Sequence, residues 1–162
     1  MITAIVLAAG QSRRMGRPKM LLPYGDSTIV GHVLDQVLAS RVNRIMVVVP
    51  PEAHQLAQAI GERRCQQVVN PQIDADMLSS VRVGLQAIPF EATGVLVVLG
   101  DMPAVCSKLI DELIAAFDAG NAAIVVPICE GRRGHPLLFS AHFIPEILAG
   151  FEEQGLRQLL QA

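Results

Sequence analysis

Uniformly apolar runs recur along the chain, separated by polar segments whose apolar residues fall at helical spacing. Thr3-Ala4-Ile5-Val6-Leu7, Arg44-Ile45-Met46-Val47-Val48-Val49 and Gly94-Val95-Leu96-Val97-Val98-Leu99 are strand-length and apolar on both faces. A strand that faces water on one side alternates, so these runs predict strands covered on both sides. Gln66 to Val69, Ala123 to Pro127 and the run beginning Leu137-Leu138-Phe139 read as further strands. Between them, Pro23-Tyr24-Gly25-Asp26 is a turn, and Ser27 or Thr28 caps a helix to about Ala39, with Ile29, Val33, Leu34, Val37 and Leu38 on one face. Glu52 to Ile60 is a short helix stopped by Gly61. A helix opening at Gln72 continues to Ala87, its hydroxyls where N-caps belong. Ser107 to Ala119 is amphipathic and closes at Gly120-Asn121, and Phe143 to Leu148 and Gly155 to Leu160 make short terminal helices. This alternation predicts a single three-layer α/β domain over 1–162 with a mostly parallel sheet.

Composition narrows the picture. A chain of 162 residues buries roughly 70% of its unfolded surface in one domain. Hydrophobic residues make up 51% and charged ones 17%, with one Tyr and no Trp, so Ala, Val, Leu and Ile must build the core. A net charge of −2 gives no support to a general nucleic-acid or membrane-surface binder. Cys65, Cys106 and Cys129 are scattered and odd in number, as expected of reduced thiols in a cytoplasmic protein. Neither a signal peptide nor a membrane-spanning run is expected.

The chemistry concentrates after the first strand. Leu7-Ala8-Ala9-Gly10 brings small residues to a strand end, Gln11 and Ser12 add polar groups, and Arg13, Arg14, Arg17 and Lys19 follow. Main-chain N–H groups in such a loop favour anions, and clustered cations attract phosphates. The spacing matches neither the Gly-x-x-x-x-Gly-Lys-Ser/Thr loop nor Gly-x-Gly-x-x-Gly. A solvated basic loop is the competing reading; the position after the first strand favours the anion site, because ligands of open α/β sheets sit at strand carboxyl ends. Asp101, in Gly100-Asp101-Met102-Pro103, is a carboxylate fixed at the end of another buried strand, suited to Mg²⁺ completed by substrate phosphates. Its alternative role is capping the helix near Ser107. In Gly131-Arg132-Arg133-Gly134-His135-Pro136, two arginines and a histidine between glycines either receive an acceptor phosphate or form a solvated hairpin.

Leu7-Ala8-Ala9-Gly10, Ser12, Arg14-Met15-Gly16 and Lys19 resemble the signature of the molybdenum-cofactor nucleotidyltransferases, and Ala-Ala-Gly looks more like the cytidylyltransferase branch. The resemblance implies a Rossmann-like nucleotidyltransferase domain that transfers CMP from CTP to a phosphate acceptor, the molybdenum-pterin cofactor, with a molybdoenzyme as client. It implies nucleotide contacts from Leu7, Ala8, Ala9, Gly10, Ser12, Arg14, Lys19, Asn70 and Ser80, and Mg²⁺ on Asp101. Arg14 and Lys19 would act on the β- and γ-phosphates, and Arg133, Gly134 and His135 would face the acceptor. Relatives have glycine where Asp76 stands, and they continue through an Asp-x-Asp-x-Pro segment that this sequence is read as lacking. Guanylyl or sugar-phosphate transfer and a non-catalytic cofactor-binding maturation factor are the alternatives.

Overall fold

The computed structural model describes residues 1–10, 18–73, 75–120, 122–150 and 156. In chain order the elements are β1 (Ile2–Leu7), a hairpin of β2 (Pro23–Tyr24) and β3 (Ser27–Thr28), α1 (Ile29–Leu38), β4 (Arg44–Val49), α2 (His54–Ile60) and β5 (Gln66–Val69). There follow α3 (Met77–Gln86), β6 (Gly94–Leu99), α4 (Ser107–Asp118), β7 (Ile124–Val125), a hairpin of β8 (Ile128–Cys129) and β9 (Arg132–Arg133), β10 (Leu137–Ser140) and α5 (Ile144–Ala149). Single 3₁₀ turns occupy Lys19–Leu21 and Ala141–Phe143.

Six strands form one sheet in the order β5-β4-β1-β6-β10-β7. β1 is buried along its whole length and lies parallel to β4 and β6, with Ile5 beside Met46 on one side and Val97 on the other. The pleat sends alternate side chains to opposite faces. Ala4, Val6 and Ala8 meet α1, α2 and α4, while Ile5, Leu7 and Ala9 meet α3 and α5. The three-layer α/β arrangement expected from the apolar runs is therefore the one observed. Among the described residues, no helix is long and apolar enough to cross a membrane.

β10 runs antiparallel to both β6 and β7. Parallel neighbours need a long crossover, and the chain between β7 and β10 forms the β8–β9 hairpin instead. That hairpin turns at Glu130 and Gly131, whose φ of 49° and 73° match a two-residue turn.

Several element boundaries differ from expectation for local reasons. The helix expected from Glu52 starts at His54, because Glu52 adopts a left-handed φ of 56°. The helix expected from Gln72 starts at Met77, capped by the Asp76 carboxylate and not by a hydroxyl, with Ser79 N donating at 2.6 Å. α4 starts at Ser107 as expected, with Cys106 at the cap position and Ser107 N–H donating to Gln36 Oε1 at 3.0 Å. The helix expected over 155–160 lies, apart from Leu156, outside the described residues. Thr28 caps α1 as expected, accepting from Gly31 N at 3.1 Å.

Two features of the frame lead to measurable effects. Thr3 is fully buried on β1 and its Oγ1 has no hydrogen-bond partner among the described residues. Thr3→Val keeps the shape and removes an unsatisfied hydroxyl, so a gain of about 1 kcal/mol is expected. A thermal scan should show a midpoint about 2–4 °C higher, and a lower midpoint would reveal a partner for the hydroxyl.

Arg63 holds both oxygens of Asp35, at 2.7 and 2.9 Å, and donates to the Ala59 and Ile60 carbonyls at the end of α2. The hydrogen bond from Arg63 holds the Asp35 carboxyl below its usual range, against an opposing effect of burial. A carboxyl with a depressed folded pKa contributes stability above its unfolded pKa and loses it as pH falls through the folded value. The melting advantage of the wild type over Asp35→Asn is therefore expected to be full near neutral pH and to shrink below about pH 4. A pH-independent difference would assign the pair no electrostatic role.

Candidate active site at the strand carboxyl ends

β1, β4 and β5 advance toward one edge of the sheet, and β6 then returns to the opposite side of β1. The carboxyl ends of β1 and β6 thus flank the point where the strand order reverses, the place where open α/β sheets bind ligands. At the ends of these strands lies a cleft of about 330 Å³. Leu7, Gly10 and Met20 form one side of it, Leu99 and Asp101 another, and Ala75, Asp76, Met77 and Ser80 at the start of α3 the third.

Glycine at position 100 is required by close approach. Gly100 N donates to Leu7 O at 3.0 Å, and a Cβ there would stand 2.9 Å from the same oxygen and 3.2 Å from Met20 Sδ. This contact extends the β1–β6 pairing past the last strand residues and brings Asp101 out at the cleft. Asp101 Oδ2 accepts from Lys19 Nζ at 3.3 Å, with both side chains partly exposed. Two groups 82 positions apart in the chain, one expected on phosphate and the other on a metal, are thus neighbours. The alternative that Asp101 caps α4 does not hold, since Cys106 occupies that position.

The other expected residues are distributed unevenly. Leu7 and Gly10 line the cleft, whereas Ala8 and Ala9 are buried, and Ala8 N donates to Val48 O at 2.8 Å. Ser12 and Arg14 lie outside the described residues. Asn70 is buried and does not line the cleft; its amide donates to Ser79 Oγ at 3.1 Å and Ser80 Oγ at 3.2 Å, while its oxygen accepts from Gln72 N. Ser80 does line the cleft. Asn70 is therefore tied to the cleft wall through its hydrogen bond to Ser80. Arg133 and Gly134 are exposed at the end of the β8–β9 hairpin and are not among the lining residues. His135 is half-buried and close enough to feel the Asp101 charge. Burial pushes its pKa below the usual imidazole value and Asp101 opposes this, so the ring is neutral at pH 7 and offers one donor and one acceptor.

Met20, Ala75, Met77 and Leu99 complete the walls, and none of them was expected among the site residues. Asp76 was visible as an unusual residue, but only the structure shows it as both cap and cleft wall. Among the described residues, no cluster of three or more His, Cys, Asp or Glu is placed to hold a metal. A partly exposed carboxylate beside a cation is nevertheless a donor suited to Mg²⁺, which takes one or two carboxylates and draws its other ligands from substrate phosphates and water.

Residues 4–162 match the model of the MobA-like NTP transferase domain. The chain belongs to that family. The molybdenum cofactor cytidylyltransferase of Escherichia coli (strain K12) is 28% identical over 160 residues, covering 98% of this chain and 80% of that protein. The bifunctional protein GlmU of Leifsonia xyli is 35% identical over 132 residues, covering 77% of this chain, which spans only 26% of the length of GlmU. Rv0371c of Mycobacterium tuberculosis H37Rv superposes with a TM-score of 0.88 at 30% identity, over 99% of this chain and 82% of that one. Rv0371c has also been solved in complex with manganese (TM-score 0.82, 29% identity, 99% and 81% coverage).

Proposed function

We propose that the protein transfers CMP from CTP to a phosphate-bearing acceptor, the molybdenum-pterin cofactor, with release of pyrophosphate. The observation that carries this reading is the Lys19–Asp101 pair at the cleft where the sheet reverses. The match over 80% of a molybdenum cofactor cytidylyltransferase supports the choice of base and acceptor. An oxygen of the acceptor phosphate attacks the α-phosphorus, and the bond from α-phosphorus to the bridging oxygen of pyrophosphate breaks. Phosphoryl transfer of this kind asks the protein mainly for positioning and charge stabilisation. Lys19 exchanges Asp101 for the β- and γ-phosphates and offsets the charge that accumulates on the leaving group, together with Arg14. Neutral His135 hydrogen-bonds the acceptor without adding charge. Asp101 would hold a divalent cation, Mg²⁺, which supplies charge neutralisation when bound with the nucleotide; the manganese complex of Rv0371c supports a divalent ion in this fold. A molybdoenzyme client and a cytoplasmic setting belong to the same reading.

A second reading, transfer to a sugar phosphate, is favoured by the 35% identity to GlmU. Pyrophosphate release separates the two. With Mg²⁺ and CTP, release is expected to depend on added molybdenum-pterin cofactor; dependence on a sugar phosphate with another nucleotide would favour the second reading. Nucleotide binding without release on any acceptor would leave a non-catalytic maturation factor.

A further inference from the structure

We propose that Asp76 reads the nucleobase and makes the cleft select cytidine over uridine nucleotides; this rests on the nucleotidyltransferase reading above. Asp76 stands on the cleft wall formed by the start of α3, while the Lys19–Asp101 pair marks the phosphate end. Its carboxylate is held in one orientation, because Oδ1 accepts from Ser79 N at 2.6 Å. Oδ2 has no hydrogen-bond partner among the described residues. The surfaces around it are apolar at Leu7, Ala75, Met77 and Leu99, which suits the faces of a planar ring.

Ser80 supplies the complementary group. Asn70 Nδ2 donates to Ser80 Oγ at 3.2 Å, so the serine oxygen is engaged as an acceptor and its O–H is left to donate. The wall therefore presents an acceptor at Asp76 and a donor at Ser80. Cytosine offers the matching edge, an exocyclic amino group beside the N3 acceptor. Uracil has O4 where cytosine has the amino group, and its edge donor, N3–H, is flanked by two carbonyl oxygens that repel a carboxylate. A hydrogen bond to a charged acceptor discriminates by about tenfold or more.

The test is calorimetric binding of CTP and UTP with Mg²⁺ to the wild type, Asp76→Asn and Asp76→Ser. Both replacements are competent N-caps, so α3 keeps its start, and equal melting midpoints would verify this. The wild type is expected to bind CTP about tenfold or more tighter than UTP. Asp76→Asn, whose amide can face O4, should bring that ratio near one or reverse it, and Asp76→Ser should at least narrow it. Removing a negative charge strengthens binding of any triphosphate, so the ratio is the readout and not the affinity. A ratio unchanged in both variants, or a wild type that prefers UTP, overturns the role of Asp76 while leaving nucleotidyl transfer standing. A wild type that binds neither nucleotide overturns the nucleotidyltransferase reading and this inference with it.

Discussion

Asp101→Asn is expected to lower turnover by about 10²–10³-fold or more while the protein folds normally. Asparagine has the same size and still offers an oxygen to Lys19, so the loss isolates the charge. That charge is what would hold a divalent cation beside the nucleotide. Stability should hardly change, because the Lys19–Asp101 contact is 3.3 Å long between side chains 42% and 38% exposed, and such pairs are worth under about 1 kcal/mol. Nucleotide affinity measured without divalent metal should stay level or rise, since a negative group facing the triphosphate has gone. Combining this with steady-state pyrophosphate release separates the two roles. Turnover near the wild-type rate would remove Asp101 from the chemistry.

Gly100→Val should damage both stability and rate. Even the first carbon of a side chain would stand 2.9 Å from Leu7 O, a main-chain atom that cannot rotate away, and 3.2 Å from Met20 Sδ. The strand ends must part, which breaks the Gly100 N to Leu7 O hydrogen bond. Overpacking of this kind costs about 1–3 kcal/mol. Because Leu7, Met20 and Asp101 all face the cleft, a displacement near 1 Å is expected to reduce turnover by about 10²-fold. Thermal midpoint and turnover, measured together, check this. A normal midpoint with normal turnover would show that the strand ends tolerate separation.

The central strands were legible in the sequence because burial on both faces leaves no polar position in β1 apart from Thr3, in β4 beyond Arg44, or in β6. The direction of β10 was not, because an apolar run such as Leu137-Leu138-Phe139 carries no orientation and only the hairpin before it reverses the chain. The start of α3 was misjudged because Asp76, Ser79 and Ser80 are all capable of capping, and the choice among them depends on Asn70, which binds both serine hydroxyls from another element. In the cleft, the chemical types of Lys19 and Asp101 were informative while their proximity was not, since nothing local links positions so far apart. The apolar walls were harder to read: Met20 and Leu99 carry no local mark of a site, and Met77 is an exposed methionine at the start of α3 whose place on the wall only the fold shows.

The strand order also governs when a working cleft can exist during synthesis. β1 leaves the ribosome first, yet its two neighbours are residues 44–49 and 94–99. Until Gly94 has emerged beside Ile2, one edge of the apolar strand β1 has no partner, and an open apolar edge is a template for aggregation. Long-range parallel pairing of this kind is slow to close. The nascent chain is therefore most vulnerable before β6 is made, and destabilising changes in β6 should lower the yield of soluble protein more than equal changes in β7, which is added at the sheet's far edge.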